Sequence, residues 1–150
     1  MKLESIGREK LDRTLFEALR AIYKFEMVKE NKFGLSYQDI FLLQFLRSHS
    51  PARMGDLADE LNIPISTATR VVDRLQQKGY LGRKKDPQDK RNIFVSLRKK
   101  GEKTVTEVEN HTYATLQENT RAFSPEDIAA FVETARALPF LLTTEDEEEK

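Results

Sequence analysis

The feature that most constrains the fold of this chain is a pair of short amphipathic segments separated by a tight break. In both segments the apolar residues follow the i, i+3, i+4, i+7 spacing of one helix face. They are Met54, Leu57, Ala58 and Leu61 in the first segment, and Ala68, Val71, Val72 and Leu75 in the second. Between them, Asn62 tolerates a left-handed backbone and Pro64 follows as a helix breaker. The pattern predicts two helices joined by a short turn, a helix-turn-helix.

The hydrophobic period changes after Gly79, where the second of these helices is expected to stop. Residues 80–85 and 92–97 have the pattern of two strands, and the segment 86–91 between them is rich in turn residues. We therefore expect a β-hairpin with a charged tip. A helix-turn-helix followed by a hairpin is a winged helix, so the predicted fold class is mainly α with a small β-hairpin wing (α+β).

Helices are also predicted on both sides of this region. The segment between Gly7 and Gly34 contains neither glycine nor proline, which favours one long helix. A helix of about 25 residues would be near 38 Å long. Ser36 and Asp39 form a capping-box-like start to a buried helix that contains residues 40–46. Because the first helix is longer than a small core requires, part of it is expected to pack on something else.

Two helices are expected to complete the chain. Gly101 opens a long polar helix with Val105, Val108 and Leu116 on its apolar side. Ser124, Pro125 and Asp127 have the spacing of a helix cap before the last helix. The apolar face of that helix is expected to contain Ile128, Phe131, Val132, Ala135 and Leu138, extended by Phe140, Leu141 and Leu142.

The length of 150 residues predicts a single domain, 1–150. Within it we expect a winged helix-turn-helix over 35–100, flanking helices over 5–33 and 101–142, and an acidic, disordered tail over 143–150. The absence of cysteine excludes disulfides and thiolate metal sites. No apolar run is long enough for a membrane span, and no signal peptide is evident, so we expect a cytoplasmic protein with no membrane partner.

Charge is unevenly distributed along the chain. The formal net charge is zero, with 25 basic and 25 acidic residues, but Ile65 to Lys103 contains 12 basic and four acidic residues. The net charge of that segment is therefore +8, and the net charge of the rest of the chain is −8. A concentrated positive charge of this kind favours double-stranded DNA as the partner of the segment. The candidate DNA-binding residues are Arg53 before the first short helix, Ser66, Thr67, Thr69, Arg70 and Arg74 on the second, and Arg83, Lys84, Lys85, Lys90 and Arg91 on the wing. Taken alone, an arginine on a helix surface is usually only solvated, and the basic wing is what favours DNA.

These motifs resemble those of the multiple-antibiotic-resistance regulator (MarR) family. The resemblance rests on Leu57–Leu61, Ile65–Leu75, Lys78-Gly79, Arg83 and the wing motif Asp86-Pro-Gln-Asp-Lys-Arg91, and it extends from about Leu35 to Gly101. It implies a homodimer, formed by the N- and C-terminal helices. It also implies a repressor, or less often an activator, that binds a pseudo-palindromic operator and is released by a small ligand.

The resemblance also implies roles for single residues. Ser66, Thr67, Thr69 and Arg70 match the family's recognition-helix contacts. Arg91 matches the wing-tip arginine that enters the minor groove, and Asp89 matches the acid that holds this arginine in place. Asp86 and Asp89 also fit ordinary turn chemistry, and the two roles are compatible.

An effector site is implied in the same way. Six aromatic residues cluster between positions 23 and 45: Tyr23, Phe25, Phe33, Tyr37, Phe41 and Phe45. We interpret most of them as residues that pack in the core. Family members bind aromatic effectors in the crevice between the dimerisation helices and the winged helix. By this resemblance, Tyr23, Met27 and Tyr37 are candidates to contact a small aromatic effector.

No enzyme motif is evident, because the chain lacks GxGxxG, P-loop and HExxH sequences. We therefore expect neither catalysis nor a cofactor. Glu107 and His111 have the i, i+4 spacing of half a metal site, which we interpret as a solvated helix face. Two alternatives stay open: a winged-helix protein-interaction module without DNA binding, and a metal-responsive regulator.

Overall fold

The computed structural model describes residues 5–144. The predicted acidic tail, 143–150, therefore lies outside the described residues from position 145 onward. The elements are α1 (Arg8–Phe33), α2 (Tyr37–His49), β1 (Ala52–Arg53), α3 (Met54–Glu60), α4 (Ile65–Gln77), β2 (Leu81–Lys85), β3 (Ile93–Leu97), α5 (Lys99–Asn119), a 3-10 turn (Thr120–Ala122) and α6 (Pro125–Leu142). The chain divides into two compact units, with the boundary between Glu109 and Asn110.

The helix-turn-helix is formed by α3 and α4, as predicted. Asn62 between them adopts a left-handed conformation with φ of 49°. The expected apolar face of α4 is buried at all four positions, Ala68, Val71, Val72 and Leu75. This burial fixes the rotation of α4 about its axis, and it directs the opposite face of the helix to solvent.

The wing belongs to a three-stranded antiparallel sheet in the order β1-β3-β2. β2 pairs with β3 from Leu81 opposite Leu97 to Lys85 opposite Ile93, which confirms the predicted hairpin. A third strand, β1, was not predicted, and its Ala52 pairs with Val95 on the other side of β3. A two-residue strand is too short to produce an alternating sequence pattern.

The hydrophobic core lies in the first unit, where α2 is its central element. Ile40, Leu42, Leu43 and Leu46 of α2 are at most 1% exposed. They belong to one cluster with Leu57 of α3, Val95 of β3, and Val71, Val72 and Leu75 of α4. Burial of each leucine contributes roughly 1.5–3 kcal/mol, so α2 anchors the winged helix.

α1 is longer than the core requires, as the sequence indicated. Its 26 residues correspond to about 39 Å of helix. It ends at Gly34, which is left-handed with φ of 64° and donates its N–H to the carbonyl of Glu30 at 2.9 Å. Apolar side chains along α1, including Phe16, Leu19 and Ile22, are more than half exposed in this single chain.

The second unit contains the end of α5, the 3-10 turn and α6. The predicted cap of α6 is confirmed, because Ser124 Oγ accepts the Asp127 N–H at 3.1 Å and Asp127 Oδ2 accepts the Ser124 N–H at 3.3 Å. Pro125 stands at the first helical position. No residue of α6 is buried, and Phe131 and Phe140 are 65% and 86% exposed. α5 begins at Lys99, two residues before the predicted start.

Candidate nucleic-acid interface

The exposed face of α4 begins at its first turn. Ser66, Thr67 and Arg70 are exposed, and they lie on the side of the helix opposite the buried stripe. Thr69 is partly buried, and its Oγ1 donates to the carbonyl of Ile65 at 2.8 Å. The first two turns of α4 therefore offer two hydroxyls and one guanidinium to solvent, while Thr69 bonds to its own helix.

Arg74 lies one turn after Arg70 and has a different environment. Its Nη2 forms an ion pair and hydrogen bond with Asp39 Oδ1 in the first turn of α2. The Asp39 side chain is 4% exposed and the Arg74 side chain 46%. Asp39 thus does not complete a capping box with Ser36, as its spacing suggested; Ser36 Oγ accepts the Asp39 N–H, but the carboxylate faces Arg74. This pair ties the recognition helix to the central helix of the core.

Arg83 on β2 is also directed inward, toward α4. Its Nη1 lies 2.6 Å from Asp73 Oδ1, and its Nη2 donates to the carbonyl of Thr69 at 3.3 Å. The side chain is only 23% exposed. Arg83 therefore connects the wing to the recognition helix.

The tip of the wing is organised by two aspartates. Asp86 Oδ1 accepts the Gln88 N–H at 2.9 Å, and Asp89 Oδ1 accepts the Arg91 N–H at 3.0 Å. Both contacts are those of Asx turns. The contact of Asp89 to Arg91 is thus to its backbone, and it shapes the turn from which the exposed Arg91 side chain projects.

The remaining cations of the predicted set are exposed. Lys84 and Lys85 lie at the end of β2, and Lys90 lies at the wing tip. Arg53 is exposed on β1, with its guanidinium 5.9 Å from the centre of the Phe94 ring, within the range of a cation–π contact. The three lysines, the exposed side chains of α4 and the wing-tip arginine are together called the basic surface. Its members are Ser66, Thr67, Arg70, Lys84, Lys85, Lys90 and Arg91.

Sequence reasoning missed the residues that position this surface. Asp39 and Asp73 hold the guanidinium groups of Arg74 and Arg83. Lys100 also contributes, since its Nζ donates to the carbonyl of Lys78 at 2.6 Å and lies 4.2 Å from the centre of the Tyr80 ring. Partners separated by 35 positions, as Asp39 and Arg74 are, leave no local pattern in the sequence.

The three predicted effector residues line one cavity. Tyr23 and Met27 of α1 and Tyr37 of α2 line a space of about 380 Å³. The cavity therefore lies at the junction of α1 and α2, and all of its lining residues belong to the first unit.

Within the described range, residues 5–144, no three His, Asp or Glu side chains are grouped so that they could hold a metal ion. Glu107, one of the two residues discounted as metal ligands, lies 3.8 Å from Lys103 in an ion pair. None of the helices in this range is both long and apolar enough to cross a membrane.

The fold and the basic surface define the class of protein: a winged helix-turn-helix transcription regulator, in which α4 is the recognition helix and β2–β3 the wing. The MarR family model matches residues 35–93. The HTH-type transcriptional regulator YwoH of Bacillus subtilis (strain 168) is 30% identical over 115 residues, which cover 77% of this chain and 83% of the relative. The chain belongs to the MarR family.

Other relatives and solved structures agree with this assignment. The HTH-type transcriptional repressor MdtR of Bacillus subtilis (strain 168) is 30% identical over 77 residues, or 51% of this chain and 50% of MdtR. A MarR family protein from Bacillus stearothermophilus has a TM-score of 0.77 at 24% identity, covering 92% of this chain and 99% of that one. Streptococcus pneumoniae FabT, solved in complex with DNA, has a TM-score of 0.75 at 21% identity. The match covers 92% of this chain and 99% of the FabT chain. At these identities the two structures support the fold.

Proposed function

We propose that this protein binds double-stranded DNA as a homodimer and represses transcription from a pseudo-palindromic operator. The observation that carries the proposal is the exposed N-terminal half of α4, with Ser66, Thr67 and Arg70 directed to solvent beside a basic wing. A helix of this kind fits the major groove, and the lysines of the wing are suited to phosphate contacts.

We assign the predicted residues to two roles within this proposal. Ser66, Thr67 and Arg70 contact base edges and phosphates in the major groove, and Arg91 enters the minor groove. Arg74 and Arg83 act as positioning residues, because their guanidinium groups are already paired with Asp39 and Asp73. Lys84, Lys85 and Lys90 contact phosphates, and Arg53 lies at the margin of the interface.

The homodimer is supported by apolar side chains that the single chain leaves exposed. On α1 these include Leu15 and Phe16, and on α6 they include Phe131 and Phe140. Exposed large apolar side chains of this kind are typical of an interface between subunits. A dimer also supplies two recognition helices, which a pseudo-palindromic operator requires.

Repression and release by an effector complete the proposal. MdtR, half of whose length aligns with this chain, is named a repressor. This name supports repression by the present protein. The cavity beside Tyr23, Met27 and Tyr37 supports binding of a small aromatic effector between α1 and α2. A regulator of this kind acts where the DNA is, in agreement with the cytoplasmic location expected from the sequence.

The proposal is tested by selecting bound fragments from a library of random duplexes with the purified protein. We expect a gel shift at low salt and enrichment of a pseudo-palindrome whose half-sites are about one helical turn apart. Arg70→Ala should weaken the preference for this pseudo-palindrome. Arg8→Ala, the matched control, changes an exposed arginine outside the basic surface and should leave the preference unchanged. If wild type shifts no duplex even at low salt, the protein is a winged-helix interaction module and the proposal is wrong.

A further inference from the structure

The cavity at the junction of α1 and α2 is lined by acidic as well as aromatic side chains. Two of its lining residues, Glu26 and Glu30, are acidic, and none of the lining residues is Lys, Arg or His. The aromatic lining is provided by Tyr23 and Tyr37, which are 63% and 51% exposed. The cavity therefore combines carboxylates with accessible aromatic rings.

The two carboxylates are held differently. Glu26 Oε1 lies 2.6 Å from Nζ of Lys29, whose side chain is only 6% exposed. This ion pair balances one of the two negative charges in the cavity lining. Glu30 Oε1 accepts a hydrogen bond from the backbone N–H of Tyr37. Because that donor is neutral, the contact orients the carboxylate of Glu30 without cancelling its charge.

The remaining walls of the cavity are apolar. Leu19, Ile22 and Met27 come from successive turns of α1 and lie beside the two tyrosines. A site with apolar walls, aromatic faces and one unbalanced carboxylate attracts a hydrophobic cation, because the rings and the carboxylate both favour positive charge. An aromatic carboxylate would instead meet Glu30 with like charge.

We propose that the ligand of this cavity is an aromatic or hydrophobic cation, held by Glu30 and by the faces of Tyr23 and Tyr37. The proposal rests on the effector part of the proposed function and specifies the chemical class of that effector. The volume of about 380 Å³ suits a molecule with a fused ring system and a substituted ammonium group.

The test compares probes of similar size and different charge by calorimetry on the full chain without DNA. (1-Naphthylmethyl)trimethylammonium is the cation, 1-naphthylacetate the anion and 1-naphthylmethanol the neutral probe. We expect the cation to bind at least about tenfold more tightly than either of the others. Equal or tighter binding of the anion, or no binding of the cation, would overturn the proposal.

Two variants assign the selectivity to named residues. Glu30→Gln keeps an oxygen acceptor for the Tyr37 N–H, so the turn is preserved while the charge is lost. This substitution should lower the affinity for the cation about tenfold and leave the affinity for the neutral probe unchanged. Tyr23→Leu should likewise weaken the cation more than the neutral probe. Glu17→Gln is the matched control, because Glu17 pairs with Arg20 on the same helix and does not line the cavity.

DNA binding is measured separately, by fluorescence anisotropy of the selected duplex. If the protein binds DNA but not the cation, the cation proposal alone is wrong. If the cation binds but no duplex does, the proposed regulatory function fails and the ligand class stands. Unchanged cation affinity in both Glu30→Gln and Tyr23→Leu would contradict the assignment to this cavity.

Discussion

Arg74 of the recognition helix is paired with the buried carboxylate of Asp39 on α2. Arg70, four residues earlier, is exposed on the same helix. The two arginines are one helical turn apart on α4 but differ in their contacts. Arg74 links the helix to the core, whereas the Arg70 side chain is exposed and accessible to a ligand.

Arg74→Met should destabilise the fold by about 1–3 kcal/mol, because Asp39 is then left buried without its charged partner. Arg70→Met, the matched control, should change the free energy of unfolding by no more than about 0.5 kcal/mol. Urea unfolding at equal protein concentration measures both. Equal effects of the two substitutions would show that the Asp39–Arg74 pair has no structural role.

A second prediction concerns Gly101 near the start of α5. A Cβ at this position would lie 2.3 Å from the carbonyl oxygen of Tyr80, which also accepts the Arg98 N–H at 2.9 Å. Gly101→Ala must therefore displace backbone, and we expect a loss of stability of more than about 1 kcal/mol. At Gly55 in α3 a Cβ would meet nothing within 4 Å.

Gly55→Ala is the control for this substitution. It should stabilise α3 by about 0.5–1 kcal/mol through the higher helix propensity of alanine. Thermal unfolding of the two variants beside wild type checks both signs. A Gly101→Ala protein as stable as wild type would mean that α5 does not approach Tyr80 as closely as described.

Much of the fold could be predicted because its signals are local. The buried stripe of α4 follows from the spacing of Ala68 to Leu75, and the cap of α6 follows from Ser124 and Asp127. β1 could not be predicted, since its two residues are defined only by pairing with β3. Arg70, Lys84 and Lys85 are exposed, whereas the inward direction of Arg74 and Arg83 depends on acids brought close by tertiary folding. DNA contact by these residues stays a prediction.

The third prediction concerns phosphate contacts by the wing. Binding of wild type to its duplex should weaken steeply with salt. Lys85→Ala should make the slope of log K against log salt shallower by about 0.9 per subunit, or about 1.8 for the homodimer. Lys85 is exposed at the end of β2, so its loss should leave folding intact. Lys10→Ala, an exposed position on α1, should leave the slope unchanged. Affinity that is independent of salt would contradict the phosphate assignment.

The fourth prediction concerns assembly. Light scattering at micromolar concentration should give about 35 kDa, twice the mass of the 17.4 kDa chain. Phe16→Glu places a charge on the exposed apolar face of α1 and should shift the particle toward the monomer, whereas Lys24→Glu should not. A 17.4 kDa wild-type particle would exclude the proposed homodimer under these conditions.

The central claim, that α4 reads sequence while the wing tip enters the minor groove, is tested most directly with a randomised operator library. Arg70→Ala should relax the preference at one base pair in each half-site by about 1–3 kcal/mol. Arg91→Ala should instead lower affinity most on operators with A·T-rich flanks and leave the major-groove preferences unchanged. If both substitutions lower affinity uniformly, with no positional signature, neither arginine reads sequence and the assignment of helix and wing is wrong.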